Sequence, residues 1–320
     1  MMKPIIAALG GAALLTATAA TAAEPMIIDL THPIPTYAPM EGDPMKADMS
    51  KPWGDARQHP TFGGPVILAK GKFPTNRGYF DVGTLVIAEH NGTHLDAANH
   101  YVNNDKSMEP GGVTADKRNS TSQLSAADLS GRVVLIDISG RVQSELDKNG
   151  GKPSADPKVT DFSNSSNNVV TADDIAAVAD QLGNDVWLVL NLGWSKFFFE
   201  GPDFVKDPYI NAFNYPGMNK AAVDKLIEIM DAKKIKIRGI MADNIAIDSG
   251  QSGRGDDDKW TNSFHAHVRL LQRGLLFVEN AANLDKLAMT SDPSKCQLAI
   301  GAPKHVAGSG GPSRVLAICH

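Results

Sequence analysis

Apolar runs and amphipathic stretches alternate along most of this chain. Five short, largely apolar runs predict strands buried on both faces, and they cover residues 26–30, 85–88, 133–138, 186–190 and 275–278. Between several of these runs, apolar residues at intervals of three and four predict amphipathic helices. Because the two signals alternate, the pattern predicts α/β layering, and no linker divides it into two domains.

Three of the predicted helices have N-cap residues at their starts. Thr171 is followed three residues later by Asp174, which resembles a capping box. Asn219 is placed to cap the second helix, and Ser263 to cap the third, which we expect to end before Gly274.

Two polar segments, residues 140–168 and 249–258, predict surface loops. The first reads as an insertion within one domain, because the helix and strand pattern resumes after it. The second contains three consecutive aspartates at 256–258, which we interpret as solvated side chains. Cation binding is the alternative, but the spacing of a calcium loop is absent.

The first 23 residues have the pattern of a secretory signal peptide. Lys3 is the only charged residue before Glu24, residues 5–15 are apolar or small, and Ala-Thr-Ala follows at 20–22. A short membrane anchor is the alternative, but the apolar stretch is shorter than the roughly 20 residues that span a bilayer. We therefore expect a signal peptide at 1–23 and a mature domain at 24–320, periplasmic or secreted and free of the membrane.

Composition narrows the possible chemistry. Apolar residues make up 42% and charged residues 21% of the chain, which argues against intrinsic disorder, and a formal charge of −5 offers no basic field for nucleic acid. The chain has only two cysteines but nine histidines. Any metal site must therefore draw most of its ligands from histidine, aspartate and glutamate.

The two cysteines lie beside strand-like segments near the C-terminal end of the sequence. Cys296 precedes one such segment and Cys319 ends another. If the two strands pair antiparallel, the sulfurs meet, and in an oxidising compartment they bond. We predict a disulfide, with two buried thiols as the alternative.

Three histidines and one aspartate lie within residues 90–100, directly after a predicted strand. An Asn-Gly turn signal follows His90, and His94 and Asp96 point to the same side if the chain there is extended. Imidazole and carboxylate ligands together suit Zn, Mn or Fe. We interpret these three residues as metal ligands and His100 as a base or a further ligand. Hydrogen-bonded loop histidines are the alternative.

Two later residues are candidates to complete the ligand set. His267 lies in the apolar stripe of the third helix, where a buried imidazole needs a polar partner. Glu279 ends a buried strand, where a charge is costly unless it is paired or bound to metal. A core histidine and a helix-capping glutamate are the respective alternatives.

Residues 90–101 read His-Asn-Gly-Thr-His-Leu-Asp-Ala-Ala-Asn-His-Tyr. They resemble the H-x-G-T-H-x-D-x-P-x-H-F signature of the cyclase-like metal-dependent hydrolases, a family that includes bacterial kynurenine formamidase and isatin hydrolase. Other segments resemble the family in the same order over almost the whole mature chain, and they are residues 29–33, 191–194, 216–218, 243–248, 267–284 and 310–314.

The resemblance implies a swivelling β/β/α type of fold, with a barrel-like core of mixed strands, flanking helices and assembly into dimers or tetramers. It implies one or two divalent ions, Zn or Mn, and His100 as the catalytic acid or base. The ligands it implies are His90, His94, Asp96, His267 and Glu279. The sequence departs from the family pattern at Ala98, Tyr101 and Ala246, none of which is a ligand position.

The implied reaction is hydrolysis of a carbonyl C–N bond in an amide, formamide or lactam. Eight aromatic residues lie between 194 and 215 and suit a flat substrate such as isatin or N-formylkynurenine. We expect Trp194, Phe197 and Phe198 to contact it, and a hydrophobic lid or a subunit interface is the alternative use of this segment.

Two other functions remain open from the residues alone. A lactone or ester hydrolase, or a dehydrating cyclase, could use the same metal and base. A periplasmic protein that binds a metal or ligand without turnover is the second alternative, although His100, beyond the five ligands, argues against it.

Overall fold

The computed structural model describes residues 24–34, 67–101, 108–198, 208–250 and 264–320. The predicted signal peptide, Ser263 and the aspartates at 256–258 lie outside these ranges. So do Phe199 and Phe204 of the aromatic segment.

Eleven strands form within the described residues. They are β1 (Met26–Asp29), β2 (Ile67–Thr75), β3 (Gly78–Val86), β4 (His94–Asp96), β5 (Ser130–Asp137), β6 (Val186–Asn191), β7 (Gly239–Ala242), β8 (Leu276–Glu279), β9 (Cys296–Gly301), β10 (Gly310–Pro312) and β11 (Arg314–Cys319). Nine of them make one curled mixed sheet in the order β1-β11-β9-β5-β6-β7-β8-β4-β10. This agrees with the predicted single α/β domain with a barrel-like mixed core.

The centre of the sheet, from β5 to β8, is parallel. All six residues of β6 are buried, as its apolar run predicts. Alternate residues supply two separate cores: Leu188 and Leu190 pack in one cluster with most of the helices, and Trp187 and Val189 pack in the other. The parallel core is therefore covered on both faces, as such sheets require.

Antiparallel strands flank this centre on both sides. On one side β9 and β11 pair with Cys296 opposite Cys319, and a disulfide joins the two residues. On the other side β4 pairs with β8 and with β10. These pairings place β4, which belongs to the 90–100 segment, between the edge strand β10 and β8, which ends at Glu279.

Five α-helices connect or cover the strands. They are α1 (Ser139–Lys148), α2 (Ala172–Ala177), α3 (Lys220–Lys233), α4 (His265–Leu270) and α5 (Leu284–Ala288). The capping box of Thr171 and Asp174 is present, and Asn219 caps α3 by accepting the backbone N–H of Ala222 at 2.9 Å. None of the described helices is long and apolar enough to cross a membrane.

The structure differs from the sequence expectations at three places. Only Leu85 and Val86 of the run predicted at 85–88 lie in a strand, at the end of β3, and among the described strands β3 pairs with β2 alone in a separate two-stranded sheet. Helix α1 forms inside the predicted polar loop, because Val142 and Leu146 give it a buried face. The third helix begins at His265, and Asp248 from another segment accepts its first N–H groups.

Candidate metal centre

A cluster of carboxylates and imidazoles lies where β4 pairs with β8. The register places His94 directly opposite Glu279, and Asp96 follows two residues further along β4. Asp96 is fully buried, and Glu279 is only 4% exposed. Two carboxylates in a sheet interior are costly unless cations or donors surround them.

His94 directs one ring nitrogen at both carboxylates. Its Nδ1 donates to the carbonyl oxygen of Gly92 at 2.9 Å, which assigns the proton to that nitrogen. Its Nε2 lies 3.2 Å from Asp96 Oδ1 and 3.5 Å from Glu279 Oε2. The lone pair of Nε2 therefore faces the centre of the cluster.

His267 reaches the cluster from α4 in the same way. Its Nδ1 donates to Asp248 Oδ2 at 2.8 Å. Its Nε2 lies 3.3 Å from Glu279 Oε1 and 3.6 Å from Asp96 Oδ2. Such a carboxylate–imidazole pair commonly orients histidine ligands in metal proteins.

His90 approaches from the turn before β4. Its Nδ1 lies 2.6 Å from Asp96 Oδ1, and its Nε2 lies 2.9 Å from the hydroxyl of Ser309. That hydroxyl donates in turn to Glu89 Oε2 at 2.5 Å. A side chain at Gly310 would collide with the His90 ring, so only glycine leaves this ring in place.

One atom at the centre shows that the cluster fits a metal ion. Asp96 Oδ2 is buried and accepts no hydrogen bond within the described residues, although three imidazoles stand around the carboxylate. A buried carboxylate oxygen normally has a partner. A divalent cation would satisfy it, and histidine with carboxylate is a typical donor set for Zn or Mn.

The potential ligand atoms form two overlapping groups. One contains His90, His94 and Asp96, and the other contains Asp96, His100 and His267. Within each group the atoms lie within 4.8 Å of one another. Asp96 is common to both groups, so it occupies the middle of the candidate centre.

The two carboxylates of the cluster have opposite pKa shifts. Burial alone would raise the pKa of Asp96, but the neighbouring His100, His94 and His90 hold it well below its usual range. Burial and the negative charge of Asp96 raise the pKa of Glu279. Asp96 is therefore the carboxylate that stays ionised most readily.

The metal-facing imidazoles bind protons strongly in the absence of a cation. Burial lowers the pKa of His94, but Asp96 and Glu279 outweigh it and raise the value to about 8. Burial likewise opposes the charged form of His267, yet Asp248, Asp96 and Glu279 raise its pKa well above the usual range. A metal must displace these protons to bind.

His100 differs from the other three histidines. Its ring lies 3.8 Å from the ring of His90, centroid to centroid, and 5.8 Å from that of His267. Its ring nitrogens make no hydrogen bond to any described residue, whereas both ring nitrogens of His90 and the Nδ1 atoms of His94 and His267 are hydrogen-bonded. Burial lowers its pKa to about 4, with Asp96 opposing that shift. The ring is therefore neutral at pH 7 and able to accept a proton.

The three aromatic side chains proposed for substrate contact are all buried. Trp194 is fully buried and donates its indole N–H to the carbonyl of Tyr209 at 2.7 Å. Phe197 packs against Trp194 at 5.0 Å between ring centroids. Phe198 stacks on His32 at 3.9 Å with an interplanar angle of 20°. All three belong to the core cluster that contains most of the helices, and their assignment to substrate binding stays a prediction.

The stacked pair of Phe198 and His32 is tied to the histidine turn. The backbone N–H of His32 donates to Thr93 Oγ1 at 2.9 Å, and its ring nitrogen Nε2 lies 3.0 Å from Ser195 Oγ. Burial lowers the pKa of His32 to about 4. A neutral stacked pair is therefore linked through Thr93 to the strand that contains His94.

Several residues that organise the centre had no role in the sequence predictions. Asp248 holds His267, and Asp243 accepts the backbone N–H groups of Leu192 and Trp194. Both aspartates belong to the 243–248 segment that resembles the family, and this resemblance is the sequence signal that could have identified them. Ser309 lies in a glycine-rich stretch that gives no comparable signal.

Residues 28–249 match the family described as "Putative cyclase". The chain is also 27% identical over 251 residues to an isatin hydrolase of Roseibium aggregatum, covering 77% of this chain and 78% of that protein.

Two solved structures have the same fold. An isatin hydrolase bound to the product analogue thioisatinate matches with a TM-score of 0.60 at 24% identity, and 92% of each chain is covered. Isatin hydrolase A from Ralstonia solanacearum matches with a TM-score of 0.61 at 20% identity, again over 92% of each chain.

Proposed function

The chain belongs to the cyclase family, and from that premise we propose that it is a metal-dependent amidohydrolase acting on non-peptide C–N bonds. The observation that carries the proposal is the buried Asp96 Oδ2. It accepts no hydrogen bond from any residue that the structure describes, although nitrogens of His90, His94 and His267 surround its carboxylate. The likeness to isatin hydrolase supports a small aromatic amide, formamide or lactam as substrate, with isatin and N-formylkynurenine as the first candidates.

Five residues would hold the divalent ion, Zn or Mn, singly or as a pair. They are His90, His94, Asp96, His267 and Glu279. When bound, the ion polarises the substrate carbonyl and lowers the pKa of water toward about 7.

His100 is the proton carrier in this proposal. It is neutral at pH 7, and neither ring nitrogen is engaged by a described residue, so it can take a proton from the attacking water. It then returns the proton to the leaving nitrogen as the C–N bond breaks. Asp96 stabilises the imidazolium that forms between these steps.

Two groups outside the proposed ligand set orient the histidine ligands. Asp248 fixes the tautomer of His267, and the carbonyl of Gly92 does the same for His94. The stacked pair of Phe198 and His32 places two flat rings on a segment that is hydrogen-bonded to Thr93, next to His94, which supports an aromatic substrate.

The test is a substrate panel with controlled metal content. The purified protein is stripped with chelator and reloaded with Zn or Mn, and hydrolysis of isatin, N-formylkynurenine, a simple lactone and an ester is followed. We expect stripping to abolish activity, reloading to restore it, and one of the two aromatic amides to react fastest. Activity that survives complete stripping would contradict the proposal. A preference for the lactone or ester would favour the alternative reaction.

We also propose that residues 1–23 are removed during export to the periplasm or the medium. The leader pattern and the disulfide between Cys296 and Cys319 support this proposal. Mass spectrometry of the mature N-terminus checks it, and an intact leader on cytoplasmic protein would contradict it.

We propose that the chain assembles into a homodimer or a homotetramer. The family resemblance supports this proposal. Light scattering at micromolar concentration tests it. A stable monomer would contradict it.

A further inference from the structure

A chain of hydrogen bonds ties His90 to residues outside the proposed ligand set. His90 Nε2 lies 2.9 Å from Ser309 Oγ, and that hydroxyl donates to Glu89 Oε2 at 2.5 Å. The backbone N–H of Ser309 donates to the same carboxylate oxygen at 3.1 Å, and the other oxygen of Glu89 accepts from His305 Nε2. The carboxylate of Glu89 is therefore anchored by three donors, one of which is the hydroxyl that contacts His90.

The direction of these bonds assigns the proton on the His90 ring. A glutamate carboxylate is ionised at neutral pH, so Glu89 accepts hydrogen bonds and donates none. The single proton of the Ser309 hydroxyl points to Glu89, and the hydroxyl oxygen can then only accept from His90. Nε2 of His90 must therefore carry a proton, which leaves Nδ1 as the nitrogen that can bind a metal ion.

This tautomer is the opposite of the one found at the two other metal-facing histidines. The Nδ1 atoms of His94 and His267 donate to neighbouring oxygens, so these two rings face the cluster with Nε2. His90 instead faces the cluster with Nδ1, which lies 2.6 Å from Asp96 Oδ1. The three imidazoles therefore present two different nitrogens to the same carboxylate.

Strand pairing fixes the position of Ser309 beside His90. The carbonyl oxygen of Ser309 accepts the N–H of Ala97 at 2.8 Å, next to the pairing of β4 with β10 in which Gly310 lies opposite Asp96. A side chain at Gly310 would collide with the His90 ring. The same pairing therefore places Asp96 at one nitrogen of His90 and the Ser309 hydroxyl at the other.

We propose that Ser309 and Glu89 are positioning residues that make His90 bind the divalent ion through Nδ1. Ser309 holds the proton of His90 on Nε2, and Glu89 holds the Ser309 hydroxyl in the orientation that requires it. Such outer partners fix the tautomer and the ring direction of a histidine ligand and strengthen its binding. This inference rests on the proposed function, because it needs a metal ion at the centre.

Isotope-edited NMR of the histidine ring nitrogens in the full-length, zinc-loaded protein tests which nitrogen binds. Single histidine variants assign the signals. We expect His90 to have a protonated Nε2 and a metal-bound Nδ1, and His94 and His267 to have the reverse pattern. A proton on Nδ1 of His90 in the zinc-loaded protein would overturn the proposal.

Competition with a metal indicator tests the role of Ser309. Ser309→Ala should weaken zinc binding about 10- to 100-fold, because His90 loses the partner that holds its tautomer. Ser313→Ala is the matched control, since Ser313 lies in the same segment but donates its hydroxyl to the backbone carbonyl of Gly311 at 2.8 Å. This control should bind zinc as tightly as the unchanged protein.

A double variant tests whether Glu89 acts through Ser309. Glu89→Gln should weaken zinc binding less than Ser309→Ala does, and it should add no further loss when the two are combined. Losses that multiply in the double variant, or an affinity that Ser309→Ala leaves unchanged, would overturn this inference and leave the metal centre in place. An unchanged protein that binds no zinc would instead contradict the proposed function, and this inference with it.

Discussion

The carboxyl and amino edges of the parallel sheet, where its strands end and begin, hold their charged groups in different ways. At the carboxyl edge, Asp96 and Glu279 are buried among imidazoles that are themselves oriented by further hydrogen bonds. At the amino edge, Lys236 is exposed at the rim of an open cavity, and Arg238 is held by carbonyl oxygens. A buried charge is strongly destabilised when a neighbouring charged group is removed, because it is left unpaired away from water. An exposed charge stays solvated by water, so the loss of its partner has a small effect.

This difference predicts how many properties of the protein a single substitution changes. At the carboxyl edge the loss of one group should change metal content, protonation and turnover together. At the amino edge a substitution should remain local.

The largest effect is expected from Asp96→Asn. Asp96 belongs to both groups of potential ligands, so its loss should empty the centre and reduce turnover by more than about a thousandfold. Metal analysis of the purified variant, together with its hydrolysis rate, checks this. A variant that retains stoichiometric metal would show that Asp96 is not a ligand.

Asp248→Ala should have the next largest effect. Asp248 orients His267 through Nδ1 and also accepts backbone N–H groups at the start of α4. Loss of such an outer partner typically weakens metal affinity about 10- to 100-fold. Competition with a metal indicator measures it, with Asp248→Asn as the variant that keeps an oxygen acceptor but not the charge. Unchanged metal affinity in both variants would show that Asp248 does not orient His267 for metal binding.

The stability of the metal-free protein should depend on pH in a defined direction. The pKa of His94 is raised from 6.5 to about 8, so its contribution is fully present below pH 6.5 and is lost as the pH rises through 8. The Tm of metal-free protein should therefore fall from pH 6.5 to 8.5, while metal affinity rises because fewer protons compete. Calorimetric scans with and without metal test this. His94→Gln should reduce the slope, and a metal-free Tm that rises over this interval would contradict the assignment.

The smallest effect is expected at the amino edge. Asp185 forms an exposed pair with Arg132 at 3.4 Å. Asp185→Asn should change the free energy of unfolding by less than about 1 kcal/mol and leave metal content unchanged. Urea denaturation checks the first expectation. A loss of metal would show that the two edges are coupled.

The sequence was most informative where the chemistry is local. His90, His94, Asp96 and His100 lie within one turn and one short strand, so their spacing alone indicated the site. The apolar runs of β5, β6 and β8 were predictable because both faces of a parallel sheet are buried. Glu279 was inferred as a charge at the end of such a run, and β4–β8 pairing places it opposite His94.

Contacts between distant segments were harder to predict. Asp248 acts on α4 across 19 residues of sequence, and Ser309 acts on His90 across 219. Neither Asp248 nor Ser309 belongs to a periodic pattern that predicts its partner. Helix α1 was missed because its polar composition concealed a narrow face containing Val142 and Leu146. These features depend on contacts between segments that are distant in the sequence.

The central claim is that one set of residues holds the metal while His100 moves the proton. The most direct measurement compares His100→Ala with the unchanged protein for metal content and for turnover of the best substrate from the panel. We predict full metal content and a loss of turnover of about 100- to 10,000-fold. Wild-type turnover in this variant would contradict the account.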